Sequence, residues 1–350
     1  MSETVRRRGE ESRRIDQGAL SDLLEVPRPA AYFGNSIGDS LLTLPTLRAL
    51  GEMFSAPITL ICPRFAFDLS FWEVSPHLID ITGFPTQGPD TPLGEQPRGP
   101  FDYEALASEI GAIDVFINTG PWNLFDDQFI EPLWQHLGPS TSIGFAGGGS
   151  LYDVVIPKSI QHTADWIFGL AQLFDPSARI ENYADAVSST PSALETARSV
   201  RSTQQAETKV LIVHADTKWK AKEWIVTRFI DVLDRFLAVH HDFVAWVVGM
   251  GHEELNVGRE RDRVISLLGL PLDVTISLIA HADLFVGIDS CMLHAADLAR
   301  VPGVGLFGPT RPATWGFRFA PHRHIDVRSM ADIAVEDVLG AMEDLLREPI

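Results

Sequence analysis

AAYFGNSIGDSLLTLPTLRALGEMF, residues 30–54, sets the fold. An apolar strand (Ala31, Tyr32, Phe33) runs into a glycine-bearing turn, Gly34 to Gly38. A helix then follows from Asp39 to about Phe54, with Leu41, Leu42, Leu44, Leu47 and Leu50 on its apolar face. Outward from this β-turn-α unit the alternation continues. Strands are expected at 58–62, 78–84, 115–118 and 142–145, with helices from Phe65, over 103–110 and over 166–174. Strands that alternate with helices imply a parallel sheet.

The alternation starts again with strand 210–214, helix 224–239, strand 243–248, helix 253–267, a short helix near Ser277, strand 284–288, helix 292–299 and strand 304–307. Each of these strands is a continuous apolar run, as expected when both faces of a sheet are covered. At 350 residues the chain exceeds what one core usually serves. The expected organisation is therefore a tail at 1–27, an N-terminal Rossmann-like domain at 28–185, a linker at 186–207 and a C-terminal Rossmann-like domain at 208–328. A final helix, 329–350, is expected to pack back on the N-terminal domain. Two such sheets in tandem would form a cleft, with ligands at the carboxyl ends of the strands.

The segment 85–100 holds five prolines, which bar regular structure, and reads as an acceptor-side loop. Arg6, Arg7, Arg8, Arg13 and Arg14 are interleaved with acidic residues and precede no apolar core, so the N-terminus reads as a disordered tail, not a secretory signal. With 28 basic and 47 acidic side chains the formal charge is −19, which disfavours nucleic acid and anionic lipid surfaces as partners. Cys62 and Cys291 are the only cysteines, too few for a disulfide framework or a four-cysteine metal site, and fit a reduced, cytoplasmic compartment. No apolar run reaches the roughly 18 residues of a membrane span.

The chemistry-bearing residues fall where strands meet helices. The turn Gly34 to Asp39 fits neither GxGxxG nor GxxxxGK, and Asp39 stands where a P-loop has lysine. Its carboxylate either caps the helix or accepts a proton from a hydroxyl nucleophile. After strand 210–214 come Thr217 and then Lys218, Lys220 and Lys222, cations able to hold a diphosphate or simply a solvated turn. Gly249, Gly251, Glu253 and Glu254 form a further turn, open to close backbone approach and offering carboxylates to ribose hydroxyls. Asp289, Ser290 and His294 follow strand 284–288, with Gly308 and Thr310 after strand 304–307. Asp289 and Ser290 can cap a helix and face a ligand, and His294 is either a ligand contact or a core histidine. An Asp and a His without a third ligand make a poor metal site.

Together the segments GDSLLTLP (38–45), HADTKWKAKEW (214–224), GMGHEE (249–254), DSCMLH (289–294) and LFGPTRP (306–312) resemble glycosyltransferase family 9, the ADP-heptose:lipopolysaccharide heptosyltransferases. The resemblance runs from about Ala30 to near the C-terminus and implies the GT-B fold, two Rossmann-like domains with parallel sheets facing a central cleft. It further implies an inverting, metal-independent transferase that needs no cofactor, binding acceptor on the N-terminal domain and ADP-sugar on the C-terminal one. By the same resemblance Asp39 is the general base, Lys222 neutralises the diphosphate with Thr217 beside it, and Asp289, Ser290, His294, Gly308 and Thr310 belong to the donor site. Gly249 with Glu253 or Glu254 serves the nucleoside, and the spacing does not choose between the glutamates.

Departures from the family pattern cluster at the donor end. Cys291 replaces a usual glycine, Asp216-Thr217 replaces a usual Thr-Thr pair, and the lysine segment is one residue longer. These positions bear on which sugar the pocket takes. The expected acceptor is a hydroxyl of a soluble metabolite such as an aminoglycoside. The alternatives are a lipopolysaccharide core acceptor and a GT-B epimerase acting on the nucleotide sugar itself.

Overall fold

The computed structural model describes residues 5–7, 10–13, 17–82, 102–121, 127–146 and 152–348. The proline-bearing loop 85–100 lies outside them, as does the glycine run 147–149. The chain divides into two compact units, Met1–Tyr183 and Ala184–Ile350.

In the first unit β1 (Val5–Arg7) and β2 (Glu10–Arg13) pair as an antiparallel hairpin, followed by α1 (Gln17–Leu23). Part of the segment expected as a tail is thus ordered: Leu20 is buried, and the Leu24 carbonyl accepts the Ser55 N–H at 2.9 Å. The alternation proper is β3 (Pro29–Tyr32), α2 (Ile37–Met53), β4 (Thr59–Cys62), α3 (Arg64–Leu69), β5 (Leu78–Asp80), α4 (Tyr103–Ile110), β6 (Val115–Asn118), α5 (Asp127–Leu137), β7 (Thr141–Phe145), β8 (Val154–Ile156) and α6 (Thr163–Phe174). Its six strands are parallel in the order β5-β4-β3-β6-β7-β8.

The second unit opens with α7 (Pro191–Ser202) and continues through β9 (Lys209–His214), α8 (Val226–Val239), β10 (Phe243–Gly249), β11 (Val264–Leu268), α9 (Leu272–Ile279), β12 (Leu284–Ile288), α10 (Cys291–Leu298), β13 (Gly303–Phe307), α11 (Pro312–Trp315), β14 (His322–Asp326) and α12 (Val335–Arg347). Its six strands are also all parallel, in the order β11-β10-β9-β12-β13-β14. In both sheets the order in which strands are added therefore switches side at the first strand of the sheet, between β3 and β6 and between β9 and β12. These are the switch points where open α/β sheets receive ligands.

Burial explains the strands. In β9, Leu211 and Val213 pack with Phe229, Phe236 and Met342 in one core cluster, while Val210, Ile212 and His214 are buried on the alternate face. The equivalent cluster of the first unit joins Ala30 and Tyr32 to Phe116, Ile61, Leu106 and Leu133.

Three expectations need correction. Residues 186–207 are no plain linker: Thr190 caps α7 by accepting the Ala193 N–H at 3.2 Å, and Ala193 and Ala197, one turn apart, are buried. The helix expected over 253–267 is instead two short 3₁₀ turns, Glu253–Asn256 and Arg261–Arg263, followed by β11. The left-handed φ of +66° at His252 and a tie from Asp234 Oδ1 to the Glu260 N–H interrupt a helix there. The β-branched Val264 and Ile265 then pair with β10. Finally, the C-terminal helix packs within its own unit, because Val338, Met342 and Leu345 are consumed by the core formed with α8 and the sheet.

Side chains lock the second sheet's connections. Asp297, buried in α10, accepts the N–H groups of Arg318, Phe319 and Ala320 at 2.9, 2.7 and 2.8 Å. Arg263 donates to the carbonyls of Leu237, His240 and Phe243, closing the C-terminus of α8. His214 ends β9 with its Nδ1 3.0 Å from the Val248 carbonyl. Burial pushes its pKa below the ordinary 6.5, against the hydrogen bond to Val248 and the charge of Asp216.

The unfolded chain therefore binds a proton at His214 that the folded chain refuses. Stability is fully present above about pH 6.5 and is lost as the pH falls through that value toward the lower folded pKa. Thermal unfolding midpoints followed from about pH 8 down to about pH 5 should fall for the native chain and fall less for His214→Asn. Equal slopes would show that His214 is not the group titrating.

Candidate active site

Four neighbouring strands of the second sheet, β10, β9, β12 and β13, deliver every sequence-predicted donor residue at their carboxyl ends. The centre is an ion pair between the two strands of the switch point. Lys222 Nζ lies 2.8 Å from Asp289 Oδ2, with the carboxylate side chain only 5% exposed and the lysine 20%. Lys222 is fixed further back: its N–H donates to the Trp219 carbonyl at 2.8 Å, and its ammonium lies 5.3 Å from the centre of the Trp219 ring. Thr217 Oγ1 accepts the Trp219 N–H at 3.0 Å, so Thr217 shapes the lysine turn. Trp224, buried, donates Nε1–H to the Ile333 carbonyl at 3.3 Å and anchors the end of that turn.

Ser290 occupies the N-cap position of α10, yet its Oγ caps nothing. The Oγ of Ser290 and the Oγ1 of Thr310 are buried and have no hydrogen-bond partner among the described residues. Buried hydroxyls without a partner, in the turns that follow β12 and β13, are suited to a polar ligand. His294 is buried in α10 one turn further on. Gly308 lets the loop after β13 approach Met330: a Cβ there would sit 2.8 Å from the Met330 nitrogen.

Cys291 starts α10 with its thiol pushed up to about 11, by burial first and by the charge of Asp216 in part, against nearby backbone N–H groups. Near neutral pH it is therefore a protonated thiol, not a thiolate nucleophile. Among the described residues no group of three His, Cys, Asp or Glu converges as metal ligands, and no helix is long and apolar enough to cross a membrane.

The loop after β10 holds Gly249, at φ +136°, and Glu254, half exposed. The Glu254 carboxyl is held below the usual carboxylate range by a backbone hydrogen bond and by His252. The Glu253 side chain lies outside the described residues. Two residues given no binding role from the sequence join this loop: Asp216, whose carboxylate accepts the Gly251 N–H at 3.2 Å, and His252, 3.6 Å from it.

In the first unit Asp39 sits in the first turn of α2, partly exposed, and its Oδ2 accepts Ser36 Oγ–H at 2.7 Å and Ser36 N–H at 3.2 Å. The capping role is thus present. The adjoining end of β6 carries buried Asn118 and Thr119, a polar pair that has no role in the sequence expectations. Thr119 Oγ1 donates to the Tyr32 carbonyl at 2.8 Å, and Asn118 Oδ1 accepts the Gly120 N–H at 2.9 Å. The signal was the polar pair closing an apolar strand at a switch point.

The family model described as glycosyltransferase family 9 (heptosyltransferase) matches residues 154–332. Among solved structures, the glycosyl transferase family 9 protein of Veillonella parvula aligns at a TM-score of 0.73 and 18% identity, covering 93% of this chain and 99% of that one. The E. coli ADP-heptose LPS heptosyltransferase II gives 0.65 and 16%, covering 91% and 98%. The E. coli heptosyltransferase WaaC with ADP gives 0.66 and 14%, covering 91% and 99%. At these identities the likeness is one of fold. No curated protein matches the chain in sequence. The matched span is half of the chain and contains all the donor-end segments, and the chain belongs to glycosyltransferase family 9, as a glycosyltransferase of the GT-B fold.

Proposed function

We propose that this enzyme is an inverting transferase that moves a sugar from a nucleoside diphosphate donor, ADP-heptose, to a hydroxyl of a soluble acceptor. The observation that carries the donor half is the Lys222–Asp289 pair at the β9/β12 switch point, together with the buried hydroxyls of Ser290 after β12 and Thr310 after β13. Family membership supports the choice of donor, since one relative is named for ADP-heptose and another was solved with ADP.

In this reading the acceptor oxygen attacks the anomeric carbon as its proton passes to Asp39. The bond from that carbon to the diphosphate oxygen breaks on the opposite face, inverting the centre, and the electron pair leaves with the diphosphate. Charge grows on that leaving group, where a fixed cation lowers the barrier most. Lys222 is that cation, and no metal or cofactor is invoked. Asp289 keeps the ammonium aimed, and Glu254 or Glu253 with Gly249 receives the nucleoside. Thr217 and Gly308 hold the backbone of the pocket, and His294 lies on the same helix as Ser290. The charge of −19 argues for an acceptor in solution over one embedded in an anionic lipid surface.

Asp39→Asn keeps an oxygen for the Ser36 N–H but removes the proton acceptor. It should lower kcat by about 10²-fold or more while leaving donor KM nearly unchanged. A large KM rise with kcat preserved would make Asp39 a cap alone. Lys222→Ala strands a buried carboxylate, so it is best read beside Lys222→Ala/Asp289→Asn. ADP binding by calorimetry should weaken by about tenfold or more in both variants, even where the double variant recovers thermal stability. Unchanged affinity in the double variant would remove the diphosphate role. For the acceptor, product formation from ADP-heptose is expected with soluble aminocyclitols and not with lipid A core. Activity on the lipid acceptor alone would overturn the soluble assignment, and nucleotide release with no acceptor present would point to an epimerase.

A further inference from the structure

The loop after β10 is held in an uncommon shape. Gly249 has φ +136° and His252, which bears a side chain, has φ +66°. A lone non-glycine residue in the left-handed region persists where its surroundings enforce it. Here the enforcing group comes from the neighbouring strand. Asp216, two residues past β9, turns its carboxylate into the loop: Oδ2 accepts the N–H groups of Met250 at 2.5 Å and Gly251 at 3.2 Å. Its Oδ1 lies 3.6 Å from His252 Nε2, and His252 Nδ1 lies 3.3 Å from Glu254 Oε1. Gly249 is obligatory for this contact, because a Cβ there would stand 1.8 Å from Asp216 Oδ2.

The result is a chain Asp216–His252–Glu254 that starts on one strand loop and ends at a carboxylate on the next. Successive backbone N–H groups that converge, as those of Met250 and Gly251 do, make an anion site. In this protein the site is filled by its own carboxylate. A second anion, such as a phosphate, would meet Asp216 as a like charge, so Asp216 is unsuited to hold the diphosphate directly.

Resting on the donor reading given above, we propose that Asp216 is a positioning residue for nucleoside recognition. By filling the Met250/Gly251 nest and facing His252, it sets the Gly249–Glu254 loop so that Glu254 meets the ribose hydroxyls. The role is one of selectivity: the carboxylate that touches the nucleoside is Glu254, and Asp216 decides where it stands. Leaving the nest occupied also leaves the diphosphate to Lys222.

The test compares ADP with 2′,3′-dideoxy-ADP by calorimetry on the full chain. The native chain should prefer ADP by about tenfold or more, the value of one or more good hydrogen bonds to a carboxylate. Glu254→Gln should reduce that ratio, and Asp216→Ala should reduce it to the same extent although Glu254 is untouched. Asp216→Asn, which retains an oxygen for the nest, should keep most of it, with thermal unfolding confirming that each variant is folded. If Asp216→Ala weakens both nucleotides equally and the ratio survives, the positioning role is overturned while the donor reading stands. A native chain that binds ADP and its dideoxy analogue equally well also overturns it. A native chain that binds neither overturns the donor reading itself.

Discussion

The ion pair between Lys222 and Asp289 is the interaction around which the second unit is arranged. Its two members come from loops after β9 and β12, adjacent strands that lie 67 residues apart in the chain numbering when measured between the paired side chains. A carboxylate only 5% exposed is costly to desolvate, and the lysine offsets that cost only if it is held at contact distance. The surroundings supply the holding: the Trp219 carbonyl accepts the Lys222 N–H, the Trp219 ring lies against the ammonium, and Trp224, buried and bonded to the Ile333 carbonyl, anchors the end of the turn. Such a pair adds little to net stability, since an apolar replacement would pack as well. Under the proposed donor reading its value is a cation whose position is settled before an anionic ligand arrives.

The parallel sheet makes that placement possible. Every β9 hydrogen-bond partner is another parallel strand, so all carboxyl ends point one way and their loops gather on one rim. Helices on both faces bury the strands and leave the rim as the place where polar groups can face solvent or a ligand. Close approach between loops then depends on small residues at particular points. Gly249 admits the carboxylate of Asp216, and Gly308 admits the backbone of Met330. Both glycines serve contacts between loops more than they serve freedom of the chain.

What the sequence made legible follows from these constraints. Leu284–Ile288 is an unbroken apolar run and Val115–Asn118 an apolar run closed by a polar Asn118, and the ends of both match the expected ones. The residues proposed for the donor site stand out in the sequence because they come directly after such strands. Short edge strands were not: Val264–Leu268 is only partly buried beyond Val264, so its apolar signal merges with the preceding turns. The helix Pro191–Ser202 buries two alanines, which leave no apolar periodicity to read. Val335–Arg347 was recognised as a helix, but nothing in its pattern says which core receives it. The link from Asp216 to His252 is a relation between neighbouring strand loops, and only the folded sheet brings the two together.

Cys291 shows how competing effects are weighed at this rim. A thiol at a helix N-terminus is ordinarily pulled toward the thiolate by the helix dipole and its N–H groups. Here burial outweighs that pull, and the nearby charge of Asp216 works in the same direction as burial, leaving the thiol at about 11. A thiolate would have neutralised the positive end of α10 and added a second anion beside Asp289. The neutral thiol does neither. The first N–H groups of α10 therefore keep their positive character, and under the proposed donor reading Cys291 would bear on a sugar through its volume and not through charge.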